Sequence, residues 1–141
     1  MWPKTFEQRL VDWQQLRAAV DQPITHLNLQ KIEQWWWHSP WQAYYLHWDD
    51  SDNWPDPWDL LADNVYCNLA RALGIVYTIG MLDNHAIDDV VLAEVDGNNL
   101  VLVEQGKYIL NWDSTRSLNT SPDMSKVTRQ VSIEQILQRI K

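Results

Sequence analysis

Residues 35–58, WWWHSPWQAYYLHWDDSDNWPDPW, concentrate side chains that bind ligands: seven of the chain's ten tryptophans, two histidines and four aspartates. Exposed, coplanar indole rings beside carboxylates or amides would bind sugars. The segment supplies such polar groups at Asp49, Asp50, Asp52 and Asn53. Alternatively, the rings fill the core, each burying about 150–250 Å², or a few of them contact a partner protein, because Trp is enriched at interface hot spots. We expect core positions for most of the rings and an interface for one or two.

The interface candidates follow from local geometry. Successive residues on a helix are turned by about 100°, so the three rings of residues 35–37 cannot all face the core. Trp54 and Trp58 flank two prolines, which makes a rigid aromatic corner. The predicted binding residues are Trp37, Trp54, Trp58, Asp50 and Asp52.

The aspartates and histidines of this segment do not predict a metal site. The run DDSDN resembles the start of a calcium loop, but the glycine and the bidentate glutamate that such a loop needs are missing. His47 and Asp49 on one strand face could supply two transition-metal ligands, with His38 or His85 as a third. Paired polar residues on an exposed strand are far commoner, and no glycine-rich phosphate loop occurs. We therefore expect no metal and no cofactor.

Charge and composition restrict the partners. The formal net charge is −8 and the 11 Lys and Arg are scattered, which disfavours nucleic acid and anionic membranes. The single cysteine, Cys67, excludes an internal disulfide and fits a reducing compartment. The first residues lack the apolar run of a signal peptide, and no segment resembles a membrane span. We expect one soluble domain over residues 1–141, intracellular or virion-borne.

The first half of the chain predicts helices. Residues 5–21 form an amphipathic pattern with a capping box of Thr5 and Gln8. A second helix is expected from about Asn28 to the triple tryptophan, ending before Ser39-Pro40. Residues 42–48 alternate like a short strand, and a turn-rich loop follows. Residues 57–74 then predict one long helix with Gly74 just past its end.

The second half predicts a sheet. IVYTIGM is a compact apolar run typical of a buried strand, and VVLAEV, NLVLVE and KYILNW are separated by the tight turns DGN and QGK. SLNTSPDMSK predicts a polar loop, and Ser132 with Gln135 predicts the cap of a last helix. The predicted fold class is α+β, with N-terminal helices and a central helix packed on a three- to four-stranded antiparallel sheet.

The helix ending RALGI, followed by IVYTIGM and by the strand GKYILNWDS, resembles the core of transglutaminase-like and papain-like thiol enzymes. The resemblance covers roughly residues 57–114. It implies a cysteine nucleophile at the N-terminus of the central helix, where backbone N–H groups favour a thiolate. The matching catalytic residues would be Cys67, His85 and Asp113, with Glu104 as an alternative third member.

The pattern also departs from that family. The family's nucleophile position falls near Asp59, which is not a thiol, and the predicted helix over 57–74 places Cys67 in its middle. A mid-helix cysteine gains nothing from the helix dipole. The sequence therefore favours a small buried thiol at Cys67 over a nucleophile.

The sequence of residues 35–78 resembles those of small uncharacterised proteins of tailed phages of marine bacteria. This resemblance implies a virion component or an assembly factor. Our first hypothesis is a non-enzymatic interaction or structural protein that uses the Trp/Asp-rich segment to bind a protein partner or a second copy. The alternatives are a thiol hydrolase or acyltransferase with Cys67, His85 and Asp113, and a carbohydrate-binding module.

Overall fold

A computed structural model describes residues 2–21, 25–43, 45–82, 89–112, 122 and 124–138. The chain begins with two helices, α1 (Phe6–Val20) and α2 (His26–Trp37). The capping box of Thr5 and Gln8 is present and confirms the predicted start of α1. Helix α2 starts two residues before the predicted Asn28, capped by Thr25, and ends before Ser39-Pro40 as expected.

The predicted strand over residues 42–48 is wrong. Its neighbour Trp41 makes one isolated bridge with Tyr66, and a 3₁₀ helix over Trp48–Asn53 begins at the last residue of the predicted strand and continues into the predicted loop. Among the described residues of this stretch, the alternation of polar and apolar residues has no partner strand beside it. Gln42 N–H donates to the Tyr66 carbonyl (3.0 Å) and Tyr66 N–H to the Pro40 carbonyl (2.9 Å), which makes a single bridge and not a strand ladder.

The predicted single helix over residues 57–74 is also wrong, because it is two helices. Helix α3 spans Pro57–Asp63 and ends at Asn64, which adopts the left-handed conformation (φ 57°) that asparagine tolerates better than most residues. Helix α4 spans Asn68–Gly80 and has Cys67 as its N-cap. The apolar spacing continues across the break, so the pattern alone suggested one helix.

The predicted strand IVYTIGM belongs to α4. Every residue from Leu69 to Ile79 except Arg71 is buried, and a short apolar run such as residues 75–79 cannot be distinguished from a buried strand by periodicity alone. Gly74 is therefore interior to α4 instead of ending a helix. A Cβ there would lie 2.5–2.7 Å from three ring atoms of Trp36, so glycine allows the indole to approach the helix backbone.

The sheet has four antiparallel strands in the order β3-β2-β1-β4. Their bounds are β1 (Val90–Val95), β2 (Asn98–Val103), β3 (Tyr108–Leu110) and β4 (Val127–Ser132). The first three are the predicted meander. Gly97 (φ 81°) and Asp96 (φ 51°) supply the positive dihedrals of the β1–β2 turn. Strand β4 lies just after the predicted polar loop and was not predicted.

The last helix, α5 (Ile133–Leu137), carries the predicted capping box of Ser132 and Gln135. Helix α4 contacts β1 and β2 on one side and α2, α3 and α5 on its others. The main core includes α4 and the helix-facing strand residues Val90, Leu92, Val101, Val103 and Leu110. The α+β prediction is confirmed, with a central helix packed on a four-stranded antiparallel sheet.

Candidate functional site

Seven of the ten tryptophans pack into the protein. Trp13 and Trp36 are each 1% exposed, and both donate their indole N–H to the Thr78 hydroxyl oxygen, at 2.8 and 2.9 Å. Five others are half-buried: Trp2, Trp35, Trp48, Trp54 and Trp112. The rings are therefore chiefly structural, as the core interpretation expected.

Three tryptophans are exposed. The exposed fraction is 37% for Trp37, 42% for Trp58 and 53% for Trp41. Trp37 and Trp58 are among the predicted binding residues, whereas Trp41, the most exposed of the three, was not. The exposure of Trp41 could have been inferred from its position after Ser39-Pro40. The proline ends α2, so the next side chain lies outside the packing of that helix.

The outward surface of α3 consists of Trp58, Asp59, Ala62 and Asp63, which we call the α3 face. Trp58 and Ala62 are four residues apart, as are Asp59 and Asp63, so the members of each pair are neighbours on the helix surface. The inward residues Pro57, Leu60 and Leu61 are buried and hold the helix in place. The Asp56 side chain accepts the Asp59 N–H at 2.8 Å and caps the helix. The α3 face thus carries one exposed ring, a carboxylate at the next residue and a second carboxylate more than one turn further along the helix.

Tyr45 orients one of these carboxylates. Its hydroxyl donates a short hydrogen bond to the Asp63 carboxylate. Burial, and then this bond and the charge of Asp63, raise the pKa of Tyr45 to about 12. Tyr45 therefore remains a donor throughout the physiological range and fixes the position of Asp63.

Trp41 lies over a cation. The Arg71 guanidinium carbon is 5.1 Å from the centroid of the Trp41 ring. Arg71 also donates to the Ser39 hydroxyl at 3.1 Å and, in a short bond, to the Ser39 carbonyl. Burial lowers the pKa of Arg71 from its usual value. One face of the exposed Trp41 ring is therefore already paired within the chain.

The remaining predicted binding residues differ in exposure. Trp54 is half-buried, packs edge-to-face on Trp48 at 5.3 Å and donates its N–H to the His47 carbonyl at 2.9 Å. Asp50 and Asp52 are exposed, and an Asp50 oxygen accepts the Asn53 amide at 2.7 Å. Of the three predicted binding tryptophans, Trp37 and Trp58 are therefore exposed and Trp54 is not.

Cys67 does not lie in the middle of a helix, and that prediction is wrong. It is the N-cap of α4, and its sulfur accepts the backbone N–H groups of Ala70 and Leu46, each at 3.4 Å. The side chain is 3% exposed. The family resemblance requires its nucleophile at such a helix start, whereas the helix–glycine–strand motif that carried the resemblance is absent. His85 and Asp113 lie outside the described residues.

A cleft of about 340 Å³ opens beside this thiol. Among the residues that line it are Cys67, His47, Asp49, Asn99 and Arg129. Asp49 and Arg129 form an exposed ion pair at 2.8 Å. The cleft brings together a thiol and polar groups that are distant in sequence. His47 is the histidine among its lining residues.

Other binding chemistries find less support in the described residues. Within that part of the chain no group of three or more His, Cys, Asp or Glu could hold a metal ion. The Trp–Trp ring pairs are tilted or edge-to-face, with interplanar angles from 47° to 83°, unlike the coplanar rings expected of a sugar platform.

None of the helices in the described ranges has both the length and the apolar content to cross a membrane. No protein-family model, no curated protein and no solved structure matches the chain. The predicted resemblances to phage proteins and to thiol enzymes thus stay predictions.

Proposed function

We propose that the chain is a non-enzymatic interaction or assembly protein that binds a protein partner through its exposed tryptophans. One observation carries this proposal. Three indoles, at Trp37, Trp41 and Trp58, keep more than a third of their surface in solvent, while the other seven are packed. Burying an indole on association stabilises a complex strongly, which is why Trp is common at hot spots.

The α3 face is the favoured contact. Its helix has only seven residues, of which Pro57, Leu60 and Leu61 are buried, and the Trp58 ring adds exposed apolar area to its outward side. The phage resemblance of residues 35–78 supports a virion component or an assembly factor acting in the host cell. A second copy of the chain is the other partner that this function allows.

The test is comparative co-purification from the source cells with wild-type protein, Trp58→Ala and Val11→Ala. Val11 is 53% exposed on α1 and serves as a matched apolar control. We expect one or more proteins to be lost with Trp58→Ala and retained with Val11→Ala, at equal stability to urea. Sedimentation velocity of the same variants tests self-association. Identical co-purifying proteins and identical sedimentation for all three would overturn the proposal.

A second candidate function, thiol hydrolysis or acyl transfer, is favoured by the position of Cys67 at a helix start beside a cleft. In that chemistry the sulfur bonds to an acyl carbon, the leaving group departs with a proton, and water or an acceptor then releases the acyl group. His85 and Asp113 remain the predicted base and orienting residue.

The alkylation rate of Cys67 against pH, measured folded and in urea, tests this second function. The chain has one thiol, so the signal has one source. Fast labelling of the folded protein well below the ordinary thiol pKa of about 8.5 would support an activated nucleophile. Protection until urea is added would show a structural thiol and remove the enzyme hypothesis.

A further inference from the structure

The exposed tryptophans lie in an acidic part of the chain. No lysine or arginine occurs between Lys31 and Arg71. The same interval holds seven acids: Glu33, Asp49, Asp50, Asp52, Asp56, Asp59 and Asp63. Two of them, Asp59 and Asp63, belong to the α3 face together with the exposed Trp58 ring. An acidic surface favours a basic partner over an acidic one.

The protein already shows how its indoles bind cations. The guanidinium carbon of Arg17 lies 4.4 Å from the Trp13 ring centroid, and that of Arg71 lies 5.1 Å from the Trp41 ring centroid. Within the described residues no cation is placed over Trp58. Trp58 thus has the same ring chemistry as Trp13 and Trp41, is 42% exposed, and shares its helix face with two carboxylates.

We propose that the α3 face docks a basic segment of the partner protein, with an arginine or lysine over the Trp58 ring and its charge balanced by Asp59 and Asp63. An arginine suits this arrangement best, because its planar guanidinium stacks on an aromatic ring while its N–H groups bond to carboxylates. The inference rests on the proposed function and adds the chemistry of the partner.

Charge complementarity selects a basic partner over a second copy of the chain. Two copies joined through the same face would set Asp59 and Asp63 of each against those of the other. With a net charge of −8 on each chain, that contact is repulsive. A basic segment instead neutralises the carboxylates and covers the ring.

The experiment is a titration followed by the indole N–H signals in a ¹⁵N spectrum, which separates Trp58 from the other tryptophans. The probe is a short peptide of alternating arginine and serine, and a glutamate–serine peptide of equal length is its control. The variants are Trp58→Ala, Trp58→Phe, and Asp59→Asn with Asp63→Asn. Glu134→Gln removes one exposed acid on α5 and is the matched charge control.

We expect the arginine peptide, and not the glutamate peptide, to shift the Trp58 signal. Affinity should fall about two- to fivefold in Trp58→Ala, which removes an exposed cation–π contact, and less in Trp58→Phe. The double Asn variant should weaken binding by a similar factor, and Glu134→Gln should have little effect. Added salt should weaken binding, since the Debye length is about 10 Å at 0.1 M.

Two outcomes overturn the inference. The first is no shift of the Trp58 signal with the arginine peptide. The second is binding that Glu134→Gln weakens as much as the double Asn variant does, which indicates attraction to net charge alone. If either occurs while co-purification still depends on Trp58, the partner is not basic but the proposed function stands. If co-purification is also unchanged by Trp58→Ala, both proposals are wrong.

Discussion

The buried tryptophans around α4 and the exposed tryptophan of the α3 face differ in how their polar atoms are satisfied. Trp13 and Trp36 share one acceptor, the Thr78 hydroxyl, which itself donates to the Gly74 carbonyl at 2.8 Å. The Trp58 ring instead lies on an exposed helix face that also carries two carboxylates. An indole in the core needs an assigned acceptor, because an unbonded buried N–H costs free energy. The comparison suggests that the first group serves the fold and the second is free for recognition.

The largest expected effect is on the core side of this comparison. Trp36→Ala should lower the free energy of unfolding by about 3–5 kcal/mol, since it removes a ring that is 1% exposed and leaves a cavity against Gly74. Urea unfolding followed by circular dichroism measures the change. A loss below about 1 kcal/mol would mean that the Trp36 site collapses at little cost and that the core does not depend on this ring.

The shared acceptor gives the next largest effect. Thr78→Val keeps the shape of the side chain but removes the oxygen that accepts both indole N–H groups. We expect a loss of about 2–4 kcal/mol from two unsatisfied buried donors. Thr78→Ser retains the hydroxyl and should be much closer to wild type in the same unfolding assay. Equal stability of the Val and Ser variants would show that the indoles find other partners.

Local sequence rules predicted the elements whose signals are local. The capping boxes of Thr5 with Gln8 and of Ser132 with Gln135 need only four residues each, and both are present. The hairpin turn at Asp96-Gly97 is equally local. Residues 75–79 of α4 were misread as a strand because they form an unbroken buried run of β-branched and aromatic side chains, which periodicity alone does not distinguish from a buried strand.

The candidate site was only partly predictable, for a related reason. Trp58 could be selected because it and Trp54 flank two prolines, a signal contained in five residues. By contrast, the half-burial of Trp54 depends on Trp48 and on the His47 carbonyl, which only the tertiary fold brings to it. The N-cap position of Cys67 depended on the break at Asn64, where a single left-handed residue outweighs a continuous apolar pattern.

Gly74 tests the packing of the buried Trp36 ring, which lies against the backbone of α4 at this residue. Gly74→Ala would ordinarily stabilise a helix by about 1 kcal/mol. Here the new Cβ would lie 2.5–2.7 Å from the Trp36 ring, so we expect a net loss of about 1–2 kcal/mol from overpacking. In a Trp36→Ala background the same change should become neutral or stabilising. Additive effects in this double-mutant cycle would contradict the contact.

On the exposed side, Trp58→Ala should lower stability by only about 1 kcal/mol, well below the loss for Trp36→Ala, because its ring is 42% exposed. Urea unfolding of the two variants under one condition makes the comparison direct. A cost for Trp58→Ala that matches the cost for Trp36→Ala would place Trp58 with the structural tryptophans and remove the basis for a recognition role.

The smallest expected effect is a pH dependence of stability that arises at Glu33, which is linked through Asn111 to the exposed Trp37. The Glu33 carboxylate of α2 accepts the Asn111 backbone N–H at 2.5 Å, and the Asn111 amide oxygen accepts the indole N–H of the exposed Trp37 at 2.8 Å. Burial raises the pKa of Glu33 above its usual 4.5, although the Asn111 bond and the charge of His26 oppose the shift.

The folded state holds the Glu33 carboxyl proton more tightly than the unfolded state does. The stability that this proton contributes is therefore fully present below pH 4.5. It is lost as pH rises through the raised pKa. Gln keeps an acceptor oxygen but does not titrate, so the stability of Glu33→Gln relative to wild type should increase from below pH 4.5 to neutral pH. Urea unfolding at both pH values measures this difference, with exposed Glu7→Gln as the control for loss of one charge. A relative stability that stays constant or falls with pH would show that the buried carboxylate is stabilised by Asn111 and His26 more than burial penalises it.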